Sequence, residues 1–443
     1  MKVHFGTDGI RGKANEELTC NMAYRMGQFV GRKTGERKTK ILIGRDTRLS
    51  GSMFEAALSA GIAAVGGEAY LLGVCSTPSL IYLTAEEDFD FGMMISASHN
   101  PYLDNGIKVI TGQGTKMDEN YEKQIEDFIY GDEEADFAVK EDIGTVIDYH
   151  EGLDKYLDRL ASLFDYDLSG YRILLDCANG SATVTAEKIF RHFKANVDVI
   201  FNQPDGLNIN RGCGSTHVEK LAEAVKNGSY DCGFAFDGDA DRVIAVAGDG
   251  TIVDGDKIIY CCGKFLKKNG QLKNGKVVPT VMSNLGLFKK LQQEDIGYEI
   301  APVGDKYVYE CMVKNDYSLG GEQSGHIIFR NHATTGDGVL SALEIMNVIV
   351  KEGKTLNELT DDLFVYPQLL VNVPVKDKQA VLKDEEVKAL CKQVEEELKG
   401  DGRILVRPSG TEPLVRVMAE ASSDELCSHY VYKVVNFIKE KNL

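Results

Sequence analysis

Several features that mark other classes of protein are missing from this sequence. No run of about 18 uncharged apolar residues occurs, which excludes an obvious transmembrane helix. The opening stretch MKVHFGTDGIRG has no apolar signal core. Basic residues number 50 against 68 acidic ones, and the net charge of −18 disfavours nucleic acid or an anionic membrane as the main partner. We therefore expect a soluble cytoplasmic protein.

Cysteine pairs and long linkers are also missing. The ten cysteines include no CxxC pair and no Cys/His spacing typical of zinc, which predicts a reduced chain. No low-complexity segment or long Pro/Ser-rich linker interrupts the sequence. The domains are therefore expected to pack around a shared cleft rather than to follow one another on flexible tethers.

A strand, a small polar turn and a helix follow one another three times along the chain, at residues 40–65, 171–192 and 276–290. This is the repeating unit of an α/β layer, and 443 residues provide enough chain for three or four domains. Near the C-terminus the pattern changes to strand, helix, two strands and helix, which predicts a small two-layer α+β domain. The predicted domains are residues 1–150, 151–250, 251–366 and 367–443.

A polar cluster follows the apolar run from Phe89 to Ile95 and stops at Pro101. The run predicts a buried strand, and α/β proteins place their chemistry at strand ends. Ser98 is the candidate nucleophile of this cluster, although Ser96 could serve equally well on composition alone. A serine needs a base, a metal or a positive field to activate it, and otherwise it is more often a turn or helix cap.

Three carboxylates alternate with small residues at Asp237, Asp239 and Asp241. The small residues let the backbone bend until the three side chains face one point, and hard oxygen ligands at this density suit Mg²⁺. An acidic surface turn is the alternative. It is the weaker interpretation, because such crowded like charges repel one another without a cation.

Two further loops combine polar side chains with glycine. In GEQSGH, the residues Glu322, Gln323, Ser324 and His326 could bind the hydroxyls or the amine of a ligand, although an ordinary Gly-rich turn is equally consistent with the letters alone. In RPSGTEPLVR, a cationic fork, two hydroxyls and a flexible backbone suit a phosphate dianion. The phosphate-binding candidates of this second loop are Arg407, Ser409, Gly410, Thr411 and Arg416.

The dipeptide Asn105-Gly106 predicts a hairpin turn before the run that begins at Lys108. A lysine at such a place is usually a solvated strand residue. It can act as a base only where its surroundings lower its pKa.

These stretches, together with GTDGIRG at residues 6–12, resemble the α-D-phosphohexomutase superfamily over essentially the whole chain and in the same order. The resemblance implies an α/β fold of four domains around a central cleft, three of them related α/β domains with mixed sheets and the last a two-layer α+β domain. It implies that Ser98 carries a phosphoryl group and joins the three aspartates in binding Mg²⁺. Its other implied site residues are Arg11, Lys108 and His326 at the reacting group, Asp305 and Lys306 with Glu322, Gln323 and Ser324 at the sugar, and the Arg407 loop at the non-reacting phosphate.

The resemblance also implies a reaction. A phosphoserine donates its phosphoryl group to a hexose monophosphate, and the resulting 1,6-bisphosphate, which also serves as an activator, turns over and returns the other phosphoryl group. Glutamine at Gln323 is typical of the members that act on glucosamine phosphates, whereas methionine is typical of those for mannose and glucose phosphates. The implied product feeds UDP-N-acetylglucosamine and cell-wall precursor synthesis, and the implied state is a monomer or a homodimer.

Three other functions stay open at this point. A mutase for mannose or glucose phosphates would use the same loops. A metal-dependent sugar phosphatase would use an aspartate of the DGDAD stretch as nucleophile and would have no need of Ser98. A sugar-phosphate sensor on the same fold would bind without turnover, although every reactive position of the superfamily is filled here.

Overall fold

The computed structural model describes residues 3–6, 8–32, 37–409 and 413–441. The chain divides into two compact units. Unit 1 comprises Met1–Met282 and Ile296–Asp361, and unit 2 comprises Ser283–Asp295 and Asp362–Leu443. No helix among the described residues combines the length and apolar character needed to cross a membrane.

The first sheet of unit 1 has seven strands in the order β1-β2-β6-β5-β3-β4-β7. Strands β3, β4, β5 and β7 run parallel, whereas β1, β2 and β6 join by antiparallel pairing. Its strands are β1 (Phe5–Gly6), β2 (Gly9–Lys13), β3 (Lys40–Arg45), β4 (Glu68–Val74), β5 (Phe91–Ile95), β6 (Asp104–Thr111) and β7 (Thr145–Asp148). Its helices are α1 (Cys20–Gly31), α2 (Gly51–Ala64), α3 (Thr77–Glu86) and α4 (Glu119–Tyr130).

The second sheet has the order β12-β11-β10-β8-β9 and is also mixed. Strands β8, β9 and β10 are parallel, and β11 and β12 are antiparallel to their neighbours. The elements are α5 (Gly152–Ser162), β8 (Arg172–Asp176), α6 (Ala186–His192), β9 (Asn196–Ile200), α7 (Glu219–Gly228), β10 (Cys232–Phe236), β11 (Val243–Ala247) and β12 (Ile252–Val253). Strands β10 and β11 are buried throughout, as expected for central strands covered on both faces.

The third sheet has the order β14-β13-β15-β16, with only β16 antiparallel. The elements of this region are α8 (Gly255–Lys268), β13 (Lys276–Val278), α9 (Leu285–Gln293), β14 (Gly297–Tyr298), α10 (Asp305–Asn315), β15 (Leu319–Gly321), β16 (Ile327–Phe329), α11 (Gly338–Glu352) and α12 (Leu356–Thr360). Helix α9 is the exception in this region, because it belongs to unit 2.

Unit 2 is a two-layer α+β structure with an antiparallel sheet in the order β17-β19-β18. Its remaining elements are β17 (Gln368–Pro374), α13 (Lys378–Lys383), α14 (Glu385–Leu398), β18 (Gly402–Pro408), β19 (Leu414–Ala421) and α15 (Asp424–Lys441). Helix α9 is tied to this sheet at its start, where the Leu285 N–H donates to the buried Glu420 at 3.0 Å. Asn284 also donates to the carbonyl of Tyr366 at 2.9 Å.

Most of the regular structure agrees with the sequence patterns, and the predicted fold class is confirmed. The hairpin turn predicted at Asn105-Gly106 is wrong, because both residues lie inside β6. Asn105 is fully buried there and donates to the Ser50 hydroxyl at 2.9 Å. A Cβ at Gly106 would lie 2.7 Å from the Ser96 carbonyl oxygen, so the glycine permits close approach of two strands rather than a turn.

One arrangement recurs in all four sheets. Each polar loop singled out in the sequence connects two strands that pair antiparallel with each other: β5 to β6, β10 to β11, β15 to β16 and β18 to β19. The paired strands fix the direction and register of both ends of each loop. Where the structure describes these loops, their side chains therefore follow backbone whose ends are fixed by paired strands.

Candidate active site

Ser98 lies in the loop between β5 and β6 and is almost completely buried. Its backbone has a left-handed conformation with φ of 52°, which is uncommon for a residue other than glycine. Its hydroxyl donates to Asp237 Oδ2 at 2.6 Å and lies 3.2 Å from His99 Nδ1. The loop therefore holds the Ser98 oxygen against the acidic group of the second sheet.

Asp237, Asp239 and Asp241 form that acidic group, and their ligand atoms lie within 4.8 Å of one another. The loop that carries them lies close to residues 96–103, the loop between β5 and β6 that contains Ser98 and is called the serine loop below. A Cβ at Gly238 would lie 2.4 Å from the Ser98 carbonyl oxygen, so only glycine fits between the two loops. All three aspartates are buried.

The carboxylates fit a divalent cation. Asp239 Oδ1 and Asp241 Oδ1 are buried and accept no hydrogen bond from the described residues. Burial, followed by the charges of Asp241 and Asp239, raises the pKa of Asp237 well above its ordinary value. Oxygen atoms left unsatisfied at such a place are the donor set that Mg²⁺ prefers. The three aspartates would hold it.

Lys108 extends from β6 to the same group. Its ammonium donates to Asp239 Oδ2 at 2.6 Å and lies 3.5 Å from Asp241 Oδ2. Burial alone would lower the pKa of Lys108, but the two carboxylates raise it above its ordinary value. In this arrangement the Lys108 ammonium is held against two of the three aspartates.

A chain of ion pairs continues from this group. Lys116 binds Asp8 at 3.1 Å and Asp305 at 2.6 Å, and Arg11 lies 3.5 Å from Asp8. Asp305, the first residue of α10, lies in turn 3.5 Å from His326. Arg11 and Asp305, both implied by the resemblance, are therefore linked through Lys116, which the sequence analysis did not single out.

His326 is buried between acidic side chains. Burial alone would lower its pKa, but Asp241, Asp305 and Glu322 raise it to about 9. The Gly336 N–H donates to its Nε2 at 2.9 Å, which requires that nitrogen to be unprotonated. A cation bound at Asp241 would also oppose the raised pKa, so we take the neutral ring with its proton on Nδ1 as the form that this geometry selects.

Two side-chain hydrogen bonds hold the loop between β15 and β16 in place. Glu322 Oε1 accepts from the Gly304 N–H at 3.0 Å, and Gln323 Nε2 donates to Asp254 Oδ2 at 3.2 Å. Ser324 is exposed at the tip of the loop. Lys306 follows Asp305 on α10 and lies 3.4 Å from Glu119.

In unit 2, Arg407 on β18 and Arg416 on β19 are directly opposite each other. Burial, followed by the charge of Arg416, lowers the pKa of Arg407. Ser409 is buried, and its N–H donates to the Leu414 carbonyl at 2.9 Å. Gly410 and Thr411, the other two predicted phosphate-binding residues, lie outside the described residues.

Two arginines near the acidic group and the serine loop were not predicted from the sequence. Arg242 follows the last aspartate, its N–H donates to Asp237 at 3.2 Å, and its Nε is buried without a hydrogen-bond acceptor among the described residues. Arg48 is fully buried and contacts the backbone of the serine loop. Both arginines follow an aspartate within two residues near a predicted strand, in RDTR and DADR. This pattern could have identified them.

Four family models match the chain, described as phosphoglucomutase/phosphomannomutase alpha/beta/alpha domains I, II and III and the C-terminal domain. They match residues 2–136, 154–250, 254–366 and 370–436. A phosphoglucosamine mutase of Lachnoclostridium phytofermentans is 50% identical over 443 residues, covering 100% of this chain and 99% of the relative. A phosphoglucosamine mutase of Bacillus subtilis is 51% identical, with 100% and 99% covered.

Solved structures show the same fold. A phosphoglucomutase/phosphomannomutase family protein of Burkholderia thailandensis superposes with a TM-score of 0.82 at 21% identity, covering 100% of this chain and 99% of the other. An Aspergillus fumigatus N-acetylphosphoglucosamine mutase, solved with GlcNAc-6P and magnesium, gives 0.73 at 17% identity, with 100% and 96% covered. At these identities the likeness concerns architecture alone.

Proposed function

The chain belongs to the phosphoglucomutase/phosphomannomutase family, and from this premise we propose that it acts as a phosphoglucosamine mutase, interconverting glucosamine 6-phosphate and glucosamine 1-phosphate. The observation that supports the chemistry best is the buried Ser98 hydroxyl, 2.6 Å from an aspartate of the acidic group. In the forward half-reaction, phosphorylated Ser98 transfers its phosphoryl group to a sugar hydroxyl. The P–O bond to the serine breaks as the P–O bond to the sugar forms, the proton of the sugar hydroxyl passes in net to the Ser98 oxygen that leaves, and a 1,6-bisphosphate results. Return of the other phosphoryl group restores phosphoserine.

The residues around Ser98 divide this task. Mg²⁺ held by the three aspartates would supply positive charge that stabilises the transferring group. Lys108, whose ammonium lies against Asp239 and Asp241, would hold oxygens of that group or take part in moving its proton. Arg11, which lies 3.5 Å from Asp8, and His326, whose Nδ1 lies 3.6 Å from Asp241, are the other residues that we assign to the reacting group. We assign binding of the non-reacting phosphate to Arg407, Ser409 and Arg416, with Gly410 and Thr411.

Gln323 supports the preference for an amino sugar. Asp254 accepts the hydrogen bond from the Gln323 amide, and an ionised carboxylate can only accept, so the amide nitrogen must face it. This leaves the carbonyl oxygen of Gln323 as its second polar atom. That oxygen can accept a hydrogen bond from the ammonium group of glucosamine, which a methionine sulfur does poorly. Bracing of the loop and recognition of the amine are therefore compatible.

A competition assay tests this function. With glucose 1,6-bisphosphate as activator and Mg²⁺ present, equimolar glucosamine and glucose monophosphates compete for the enzyme, and the ratio of their kcat/KM values is measured. We expect a ratio well above one for the wild type and a lower ratio for Gln323→Met. A ratio near or below one would leave the mutase chemistry standing and overturn the amino-sugar preference. Release of inorganic phosphate without isomerisation would instead indicate a phosphatase.

A further inference from the structure

Arg48 lies in the loop between β3 and α2, outside every stretch to which a role has been assigned above. Its side chain is fully buried, and so is that of Asp46, which accepts from Arg48 Nε at 2.8 Å and from the Arg48 N–H at 3.0 Å. A buried ion pair of this kind adds little to stability compared with apolar packing. Its hydrogen bonds therefore need another explanation.

All five N–H groups of the Arg48 guanidinium have an acceptor. Besides Asp46, the acceptors are four backbone carbonyl oxygens. Those of Ser98 at 2.8 Å, Asn100 at 2.9 Å and Pro101 belong to the serine loop, and that of Asp104 at 3.1 Å belongs to the first residue of β6. Only arginine has five donors in one rigid plane, whereas a lysine ammonium has three. The serine loop is thus wrapped around one guanidinium.

Both backbone polar groups of Ser98 depend on this cluster. The Ser98 carbonyl accepts from Arg48 and also from Asn210 Nδ2 at 2.9 Å. The Ser98 N–H donates at 2.9 Å to the Ser96 hydroxyl, which donates to Asp46 at 2.7 Å. With its N–H and C=O both fixed, the residue is held at a positive φ that a serine rarely adopts.

We propose that Arg48, with Asp46 and Asn210, is a positioning residue for phosphoryl transfer, because it fixes the backbone of Ser98 so that Oγ faces the acidic group. This inference rests on the proposed phosphoserine chemistry. Arg48 touches neither the acidic group nor the sugar loop in any described contact. Its loss should therefore slow the transfer step while leaving capture of the sugar phosphate unchanged.

The test compares Arg48→Lys with Arg45→Lys, a control from the end of β3. Arg45 is partly buried and pairs with Glu55 at 3.1 Å, but it contacts no carbonyl of the serine loop. For Arg48→Lys we expect kcat and the rate of Ser98 phosphorylation by glucose 1,6-bisphosphate to fall about a hundredfold, the loss that a misplacement of about 1 Å causes. KM for glucosamine 6-phosphate and the Kd for Mg²⁺ should stay within about twofold. Arg45→Lys should match the wild type.

Asn210→Ala covers the case in which Arg48→Lys does not fold, because it removes one of the two donors to the Ser98 carbonyl and leaves Arg48 in place. We expect a smaller loss in kcat, about tenfold, again with KM unchanged. Wild-type kcat in either folded variant, or a loss that appears equally in KM, would overturn the positioning role. Absence of turnover and of Ser98 phosphorylation in the wild type would overturn the proposed function, and this inference with it.

Discussion

Two loops of this molecule collect like charges, one negative and one positive. In unit 1 the ligand atoms of Asp237, Asp239 and Asp241 lie within 4.8 Å of one another. In unit 2 Arg407 and Arg416 face each other across paired strands, where like charges destabilise a sheet. Neither arrangement favours folding, and each would be relieved by a ligand of the opposite charge.

The two loops differ in how far the protein itself neutralises them. The acidic group is buried and already binds Lys108, the Ser98 hydroxyl and the backbone of Arg242. Arg407 is only half-buried, and its Nε has no hydrogen-bond acceptor among the described residues. Under the proposed function, the first would hold a metal ion and the second would bind the non-reacting phosphate of the substrate.

The largest expected effect comes from removing the Ser98 hydroxyl, which contacts Asp237 of the acidic loop. Ser98→Ala should lose mutase turnover entirely, because no oxygen remains to carry the phosphoryl group, while sugar-phosphate binding persists. Intact-mass spectrometry after treatment with a hexose bisphosphate should show one added phosphoryl group on the wild type and none on the variant. Ser96→Ala removes the other candidate nucleophile and should still be labelled, although more slowly, because its hydroxyl accepts the hydrogen bond from the Ser98 N–H. Equal labelling of Ser98→Ala would refute the assignment.

Asp239→Asn tests whether the acidic loop is a cation site. Loss of the metal removes several kcal/mol of charge stabilisation, so both half-reactions should slow together by about a thousandfold. Chelation of the wild type should reproduce the effect, and calorimetry should show weakened Mg²⁺ binding. Asp249→Asn, in an exposed turn of the same domain, provides the control and should behave as the wild type. Full activity of Asp239→Asn in excess chelator would contradict a catalytic metal site.

Arg407→Ala tests the basic loop. A charge-assisted hydrogen bond contributes roughly 1.5–3 kcal/mol, so affinity for the 1- and 6-phosphates should fall about ten- to a hundredfold. Titration calorimetry with each monophosphate measures this directly. Lys433→Ala removes a cation that unit 2 already pairs with Glu397 and should leave both affinities unchanged. Unchanged binding by Arg407→Ala would remove the phosphate role from this loop.

The smallest effect concerns stability without ligand. If Arg407 is repelled by Arg416, then Arg407→Gln should leave the phosphate-free protein equally stable or more stable, by up to about 1 kcal/mol. Thermal unfolding in phosphate-free buffer measures this, and added phosphate should stabilise the wild type more than the variant. A marked loss of stability in Arg407→Gln would mean that the guanidinium serves the fold and not a ligand.

The sequence predicted the loops better than it predicted their surroundings. The acidic group and Ser98 were identifiable because each has an unusual local pattern at the end of an apolar run. Arg48 was not identifiable, because its acceptors include backbone carbonyl groups 50 to 56 residues away. Every residue has a backbone carbonyl, so the sequence does not show which of them a side chain contacts. Attachment of α9 to unit 2 was equally hidden, since the Leu285 hydrogen bond to Glu420 spans 135 residues. The turn predicted at Asn105-Gly106 was wrong for a similar reason. Long-range strand pairing and burial within β6 outweighed the local preference of these two residues for a turn.

All four polar loops connect strands that pair with each other, and this has an evolutionary consequence. The loop between β15 and β16 is exposed at Ser324, and a residue there can change without moving the paired strands that close the loop. Substrate preference can then diverge in one loop while the serine and the aspartates in the others keep their places. In a protein built this way, a single substitution in one loop can change the preferred sugar while the catalytic residues in the other loops stay the same.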